Sequence, residues 1–404
     1  MRIMQQIAHR HLWQRLPRKW RRAGLFRATS VLAPRPTQIA RSEPPIFLAG
    51  PLRAASGLGE AARLNLEALK VCGTPAFGID VTASLMQPLD YPDASFVKGK
   101  TVEGGGTLIL SVNAPLVPLA MWCLGRRAVR NKYVIGYWAW ELPDVPREWH
   151  CGVPFIHEIW VPTKFVADAV KPIAAGRPVR IVPYPLAIPK RPWRCGDWQE
   201  RPFTALVIFD MASSFARKNP IAAIMAFRQA FGDDASVRLI VKVANSQVFP
   251  VGMELLKKAV GSARNVVLIA RTMSAVEIDA LYRQSNVLLS LHRSEGFGLT
   301  LAEAMLRGLP LVATNWSGNV DFLNSGNGFP IPYRLVPAED PQGTYHHPSM
   351  MWADADVNAA ATALRHLHRE PGLAQHLGEA GAAYAARAWS AKAYAATVRR
   401  HLRS

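Results

Sequence analysis

Acidic residues are scarce in this chain. Only 29 Asp and Glu stand against 48 Lys and Arg in 404 residues, and the first 42 residues contain neither Asp nor Glu. Cysteine is scarcer still. Cys72, Cys123, Cys151 and Cys195 are scattered without CxxC spacing, and the histidines form no HxxxH pair. Neither a disulfide framework nor a metal site is signalled, and a reducing, cytoplasmic setting is expected. Long hydrophobic runs are missing as well: the longest uncharged apolar stretch, Thr107 to Leu124, is interrupted by Asn113, Pro115 and Pro118 and reads as strand, turn and helix. No apolar core follows the first positive charges, so export is not expected. No internal repeat, helix-turn-helix, zinc or RNA-binding signature is found.

What is abundant is positive charge. The net charge is +19, and ten of the basic residues fall within residues 1–42, which leaves the remainder basic by nine charges. A polyanionic partner is implied: an anionic membrane, a phosphate-bearing acceptor or a nucleic acid. Without a matching signature no nucleic acid is expected, and a basic nucleic-acid-binding protein is kept as the alternative. Half of the residues are hydrophobic, enough for two globular domains of nearly 200 residues each.

Met4, Ile7, Leu12, Trp13 and Leu16 recur near helical spacing, with Arg10 and Arg15 between them, and Pro17, Lys19, Trp20, Arg21 and Arg22 follow. Three readings stay open here. Residues 2–28 form an arm on the inner face of the plasma membrane, or a leader with incidental charge, or an organelle transit peptide. Ser30 to Pro45 is rich in proline and reads as a linker.

From Ile46 onward, short apolar runs alternate with helical spacing. Strands are expected at Ile46–Ala49, Pro75–Val81, Leu108–Val112, Lys132–Tyr137 and Ile156–Val161, and again at Phe203–Phe209, Leu239–Val243, Val266–Ala270, Val287–Leu291 and Leu311–Ala313. That alternation predicts α/β units with parallel sheets covered on both faces, whose carboxyl ends bind ligand. Pro183 to Gly196 is the expected interdomain linker.

Several strand ends carry chemistry. After the first strand, Gly57 and Gly59 open a helix and can bring backbone close to a phosphate or sugar. Trp138, Trp140 and Glu141 follow another strand, either as a wall for a sugar acceptor or, for the two tryptophans, as core or hinge aromatics. In the second half Arg217 and Lys218 precede Asn219-Pro220, either as a fork and a point charge for a diphosphate or as a solvated basic turn. The richest stretch runs from Ser290 to Thr314. A strand ends in Glu295-Gly296-Phe297-Gly298, the helix carrying Leu299, Ala302, Met305 and Leu306 on one face follows, and Gly308-Leu309-Pro310 stops it. A glycine-bracketed helix start favours a phosphate, and Glu295 and Glu303 can accept bonds from sugar and ribose hydroxyls. The alternative is an ordinary strand, turn and helix with two solvated glutamates. His292 is equally suited to structural hydrogen bonding and to catalysis.

Glu295 and Glu303, with Gly296-Phe297-Gly298-Leu299 between them, resemble the Glu-x7-Glu signature of the retaining GT-B glycosyltransferases of family 4. The resemblance covers residues from about 45 to 404. It implies two Rossmann-like domains whose parallel sheets face across a cleft, after a basic arm at 1–42: an acceptor domain at 43–190, a nucleotide-sugar domain at 197–375, and C-terminal helices at 376–404 folding back over the first. It implies a donor diphosphate held by Lys218 and by the amides of Gly296, Phe297, Gly298 and Leu299, with Glu295 on the donor sugar, Glu303 on the ribose and Arg271 near the base. The family's usual Arg directly after this strand is replaced by Asp210, and Arg217 is the candidate substitute. No metal and no other cofactor is implied. The resemblance further suggests a hexose donor, mannose from GDP-mannose, and a glycan or polyprenyl-diphosphate-linked acceptor in surface polysaccharide synthesis. A nucleotide-sugar epimerase or hydrolase of the same fold is a second alternative. Tyr333 to Met350, with few apolar positions and with His346 and His347, is expected to be a mobile flap.

Overall fold

Apolar runs bounded by turn residues become the strands of two parallel sheets. The computed structural model describes residues 24, 28–38, 43–91, 96, 104–187 and 201–403. Most of the N-terminal arm and the stretch from 188 to 200, which holds the expected boundary between domains, lie outside the described residues. The first sheet contains β1 (Ile46–Gly50), β2 (Ala76–Asp80), β3 (Thr107–Leu110), β4 (Tyr133–Tyr137), β5 (Glu158–Val161) and β6 (Val179–Ile181), in the order β2-β1-β3-β4-β5-β6. Its helices are α1 (Gly57–Val71), α2 (Val117–Val129) and α3 (Lys164–Val170). Strands β1 and β3 are buried at every position, as expected of central parallel strands with helices on both faces.

The second sheet contains β7 (Phe203–Asp210), β8 (Val237–Ala244), β9 (Val266–Ile269), β10 (Val287–Ser290), β11 (Leu311–Thr314) and β12 (Gly328–Ile331), in the order β12-β11-β10-β7-β8-β9. Between them run α4 (Phe215–Lys218), α5 (Pro220–Phe231), α6 (Pro250–Val260), α7 (Ala275–Arg283) and α8 (Leu299–Leu306). The strand order reverses between β7 and β10, so the loops leaving those two strands diverge and open a crevice at their carboxyl ends. The same reversal separates β1 from β3 in the first sheet.

Tyr333 to Met350 is not an irregular flap. It lies mostly in an antiparallel pair, β13 (Tyr333–Ala338) and β14 (His347–Ala355), that leaves the second unit and packs on the first. Ala338, Tyr345 and Trp352 join one apolar core with Trp138, Trp140, Trp149 and Phe155. Burial of these side chains, with Val336 and Met350 packed beside them, anchors the hairpin although many of its other positions are exposed.

The same core decides between the two readings of Trp138 and Trp140 in favour of core aromatics over an acceptor wall. Trp138 is 0% exposed and meets Trp149 edge-to-face at 5.7 Å, and Trp140 is held between Trp149 and Tyr345 while its indole N–H donates to Asp144 O at 2.8 Å. Neither ring presents a face to solvent.

The chain ends in α9 (Val357–Arg369), α10 (Pro371–Ala388) and α11 (Ala391–Arg403). Helix α10 lies on α8 of the second unit, where Gly381 faces Met305, and only α11 crosses to pack on α1. Trp389, between those last two helices, packs on Phe297 and Phe322, and its carbonyl accepts the Leu186 N–H at 2.8 Å. Among the described residues no helix is long and apolar enough to cross a membrane.

Candidate active site

The loops after β7 and β10 are stitched together at the reversal point. Asp210 closes β7 by accepting the Ala212 N–H at 2.8 Å and the Asn245 amide at 2.9 Å. Ser214 then takes φ 72° and caps α4 by accepting the Arg217 N–H, and Asn219 takes φ 48° before Pro220 starts α5. Positive φ at residues other than glycine costs energy and persists where surrounding bonds hold it. Here they do. The Ser214 hydroxyl donates to Asp340 at 2.9 Å, and the Asn219 amide donates to Leu291 O at 3.0 Å. Arg293 N–H reaches Arg217 O at 2.7 Å, and the Arg293 guanidinium reaches Ala216 O at 2.9 Å.

Stitching of this kind brings three charged side chains together. Lys218 Nζ lies 2.5 Å from Glu295 Oε1, and Arg217 Nη1 lies 3.2 Å from Glu295 Oε2. Burial alone would raise the Glu295 carboxyl. Lys218 and Arg217, with a smaller contribution from His292, outweigh that and hold it at about 2, so it is ionised. Arg217 differs from its neighbour. It is 3% exposed, donates from Nε to Ser213 O at 3.1 Å and from Nη1 to Ser294 O at 2.7 Å, and stacks over the Tyr345 ring. Expected as part of a clamp facing the crevice, it instead fixes Glu295 and its loop from within. Among the described residues Glu295 is the one ion-pair partner of each cation, and Lys218 is the more exposed of the two.

Gly298 takes φ 89° as N-cap of α8 without a side-chain cap, so the first amides of that helix are free to meet an anion. Gly296 is needed for another reason: a Cβ there would stand 2.8 Å from Trp140 O of the first unit. Gly296 O accepts the Thr163 hydroxyl at 2.7 Å, and Gly318 N–H donates to Glu295 O at 2.8 Å. Phe297 is buried against Tyr184, Phe322 and Trp389 and anchors the turn rather than facing a ligand. Leu299 is half-buried at the helix start.

Glu303 stands one element deeper. Burial raises its carboxyl, Arg307 counters that, and the Tyr282 hydroxyl donates to Oε2 at 3.0 Å. Glu60 of α1 acts on it electrostatically, which puts the glycine loop of the first unit opposite α8. Within that loop Gly59 is required by packing, since a Cβ would stand 2.7 Å from Pro51 O, whereas Gly57 faces open space. Arg271 is exposed and paired with Glu277 at 2.7 Å. His292 is 0% exposed and neither ring nitrogen makes a hydrogen bond of good geometry among the described residues, although the Asn319 side chain lies beside it; burial lowers it to about 4, so it is neutral.

A second carboxylate at the site comes from the first unit. Glu141 accepts the Tyr345 hydroxyl at 2.9 Å and acts on both Arg217 and Lys218. Tyr345, Thr163, Ser214 and Asp340 were not singled out from sequence. Each acts through a partner more than a hundred residues away, and no local pattern carries such pairings.

A family model described as Family 4 Glycosyltransferase in conflict systems matches residues 164–395. The GtfA subunit of a Streptococcus pneumoniae UDP-N-acetylglucosamine–peptide N-acetylglucosaminyltransferase is 44% identical over 66 residues, which make up 16% of this chain and 13% of that one. Sucrose-phosphate synthase of Thermosynechococcus elongatus superposes with a TM-score of 0.64 at 14% identity, over 89% of this chain and 98% of that one. HepE of Anabaena, in complex with UDP and glucose, gives 0.63 at 13% identity over 89% and 99%. TarM of S. aureus gives 0.55 at 15% identity over 74% of this chain and 55% of its own. This chain thus spans about half the length of TarM. At these identities the solved structures establish the fold, two parallel six-stranded sheets of GT-B type. The matched residues make up more than half of the sequence, and the chain belongs to the family 4 glycosyltransferases.

Proposed function

We propose that this enzyme transfers a hexosyl group from a nucleotide diphosphate sugar, with retention of anomeric configuration, to a hydroxyl of a glycan or lipid-linked oligosaccharide. The observation that carries the reading is the meeting of Lys218 and Glu295 beside the uncapped start of α8. In this reading the donor diphosphate draws Lys218 from Glu295 and seats its oxygens on the amides from Phe297 to Leu299. Glu295, ionised and fixed by Arg217, then accepts bonds from hydroxyls of the donor sugar. Charge developing on the leaving diphosphate meets one ammonium and the end of a helix dipole, which supplies electrostatic stabilisation. Glu303 accepts from the ribose diol, and Glu141 faces the acceptor side. The bond from the anomeric carbon to the phosphate oxygen breaks as the acceptor oxygen bonds to that carbon from the same face. The acceptor proton passes to the leaving phosphate.

The names of the matched proteins include UDP with glucose or N-acetylglucosamine. Those names favour a UDP-sugar over the GDP-mannose suggested by the sequence.

A thermal-shift panel of UDP-, GDP-, ADP- and dTDP-sugars tests the reading. A ligand at a hundred times its dissociation constant stabilises by about 2.7 kcal/mol. At least one UDP-sugar is expected to shift melting by several degrees, and NMR of the product is expected to show the donor's anomeric configuration. No shift with any nucleotide sugar would overturn the reading. Salt-dependent DNA binding in its place would support the nucleic-acid alternative.

A further inference from the structure

Lys242 has no role in the site described above. It lies in β8, is 3% exposed, and among the described residues its ammonium has no hydrogen-bond or ion-pair partner. Enclosing a cation this far is costly without a partner, and since its Nζ is not among the fully enclosed unpartnered atoms, the ammonium keeps an opening to solvent through which a ligand can reach it. The charges that act on it are Asp210 and Arg271, and neither makes an ion pair or hydrogen bond with it. Asp210 accepts from Ala212 and Asn245 through Oδ1, and Arg271 pairs with Glu277.

Its direction follows from strand alternation. Lys242 pairs in register with Ile208 of β7 and Ile269 of β9, so all three project from one face near the carboxyl ends of their strands. Ile208 and Ile269 pack on the same core as Met273, Ile278 and Leu299, and all five are only partly buried. A lone cation set among half-exposed apolar side chains suits a flat, weakly polar ring with one acceptor on its edge. A phosphate would want several donors, and those donors, Lys218 and the start of α8, stand past β7 and β10. Lys242 is one strand further along, on the side of β9 and of the loop carrying Arg271 and Met273.

We propose that Lys242 donates a hydrogen bond to a carbonyl oxygen of the donor's nucleobase and so selects uracil or guanine nucleotides over adenine nucleotides. The inference rests on the donor reading given above and deepens it. Uracil carries O4 and guanine O6 where adenine carries an amino group, which would oppose an ammonium donor.

Calorimetric titration of the full chain and of Lys242→Met with UDP, GDP, ADP and inorganic pyrophosphate tests it. Methionine keeps the unbranched stem and removes the charge, and a melting curve of each sample verifies folding. A bond from a charged donor corresponds to at least about a tenfold change in affinity. The variant is therefore expected to bind UDP and GDP about tenfold or more weakly and to bind ADP and pyrophosphate within about twofold of wild type. Equal losses for all four ligands would mean a phosphate contact, and unchanged UDP affinity would mean no contact; either result overturns the proposal while the donor reading stands. Wild-type protein that binds none of the four would overturn both.

Discussion

Replacing Glu295 with Gln tests the electrostatic centre of the site. The amide preserves volume and one acceptor oxygen but removes the negative charge between Arg217 and Lys218. Leaving a buried charge without its counter-ion costs about 3–5 kcal/mol. Arg217 would keep two carbonyl acceptors and its stack on Tyr345, and Lys218 is partly exposed, so a loss of about 2–3 kcal/mol is expected. In a unit of this size that lowers melting by roughly 4–12 °C, measurable by scanning calorimetry and by urea unfolding. Nucleotide binding should move the other way. In the wild type a diphosphate must compete with Glu295 for Lys218, and in the variant it has no competitor. UDP is expected to bind Glu295→Gln at least as tightly as wild type while sugar transfer falls by about a hundredfold or more. A variant that melts with the wild type would mean that these three side chains do not form a buried cluster in solution. UDP affinity falling in step with transfer would refute the competition argument.

Three further outcomes follow from named contacts. His292 is held at about 4 against 6.5 for the free side chain, so below pH 6.5 the unfolded chain binds a proton that the folded chain refuses. Stability therefore falls as pH drops from 6.5 to 4, by up to about 3 kcal/mol, and urea unfolding of His292→Asn should lose that part of the slope. Gly318→Ala drives a Cβ into the Gly296 carbonyl, 2.9 Å from Glu295 O; overpacking of about 1–3 kcal/mol is expected, read as a lower urea midpoint with an unchanged m value. Tyr345→Phe removes the hydroxyl that donates to Glu141, and a loss of about 1 kcal/mol is expected in the same assay.

How much of this was legible in the sequence depends on how local each pattern is. Glu295, the glycine turn and Glu303 lie within one strand, turn and helix, so their spacing carries their arrangement. Arg217 and Lys218 suggest a fork and a point charge on one diphosphate, but adjacent positions on a helical turn point about 100° apart, and although both reach Glu295, Arg217 does so from the buried side and Lys218 from the more exposed one. Trp138 and Trp140 had the right composition for a sugar wall. Residue type does not say which way a ring turns, and Trp149 of the same unit and Tyr345 of the hairpin turn both inward. Lys242 escaped attention because a strand reading counts apolar positions and passes over a lone cation among them.

The features hidden from sequence share one physical cause. Gly296 O is held by Thr163, its Cα is pressed on Trp140 O, and Arg217 stacks on Tyr345, whose hydroxyl is bound by Glu141. The turn that begins α8 is therefore shaped from both sides: by its own glycines, which the sequence displays, and by the first unit, which the sequence places more than a hundred residues away. Because the two contributions meet at Glu295, that carboxylate is held from both units, and of its two cations Lys218 is the more exposed. In the proposed reaction that difference in burial would let Lys218 pass from the carboxylate to a diphosphate while the buried arginine stays paired.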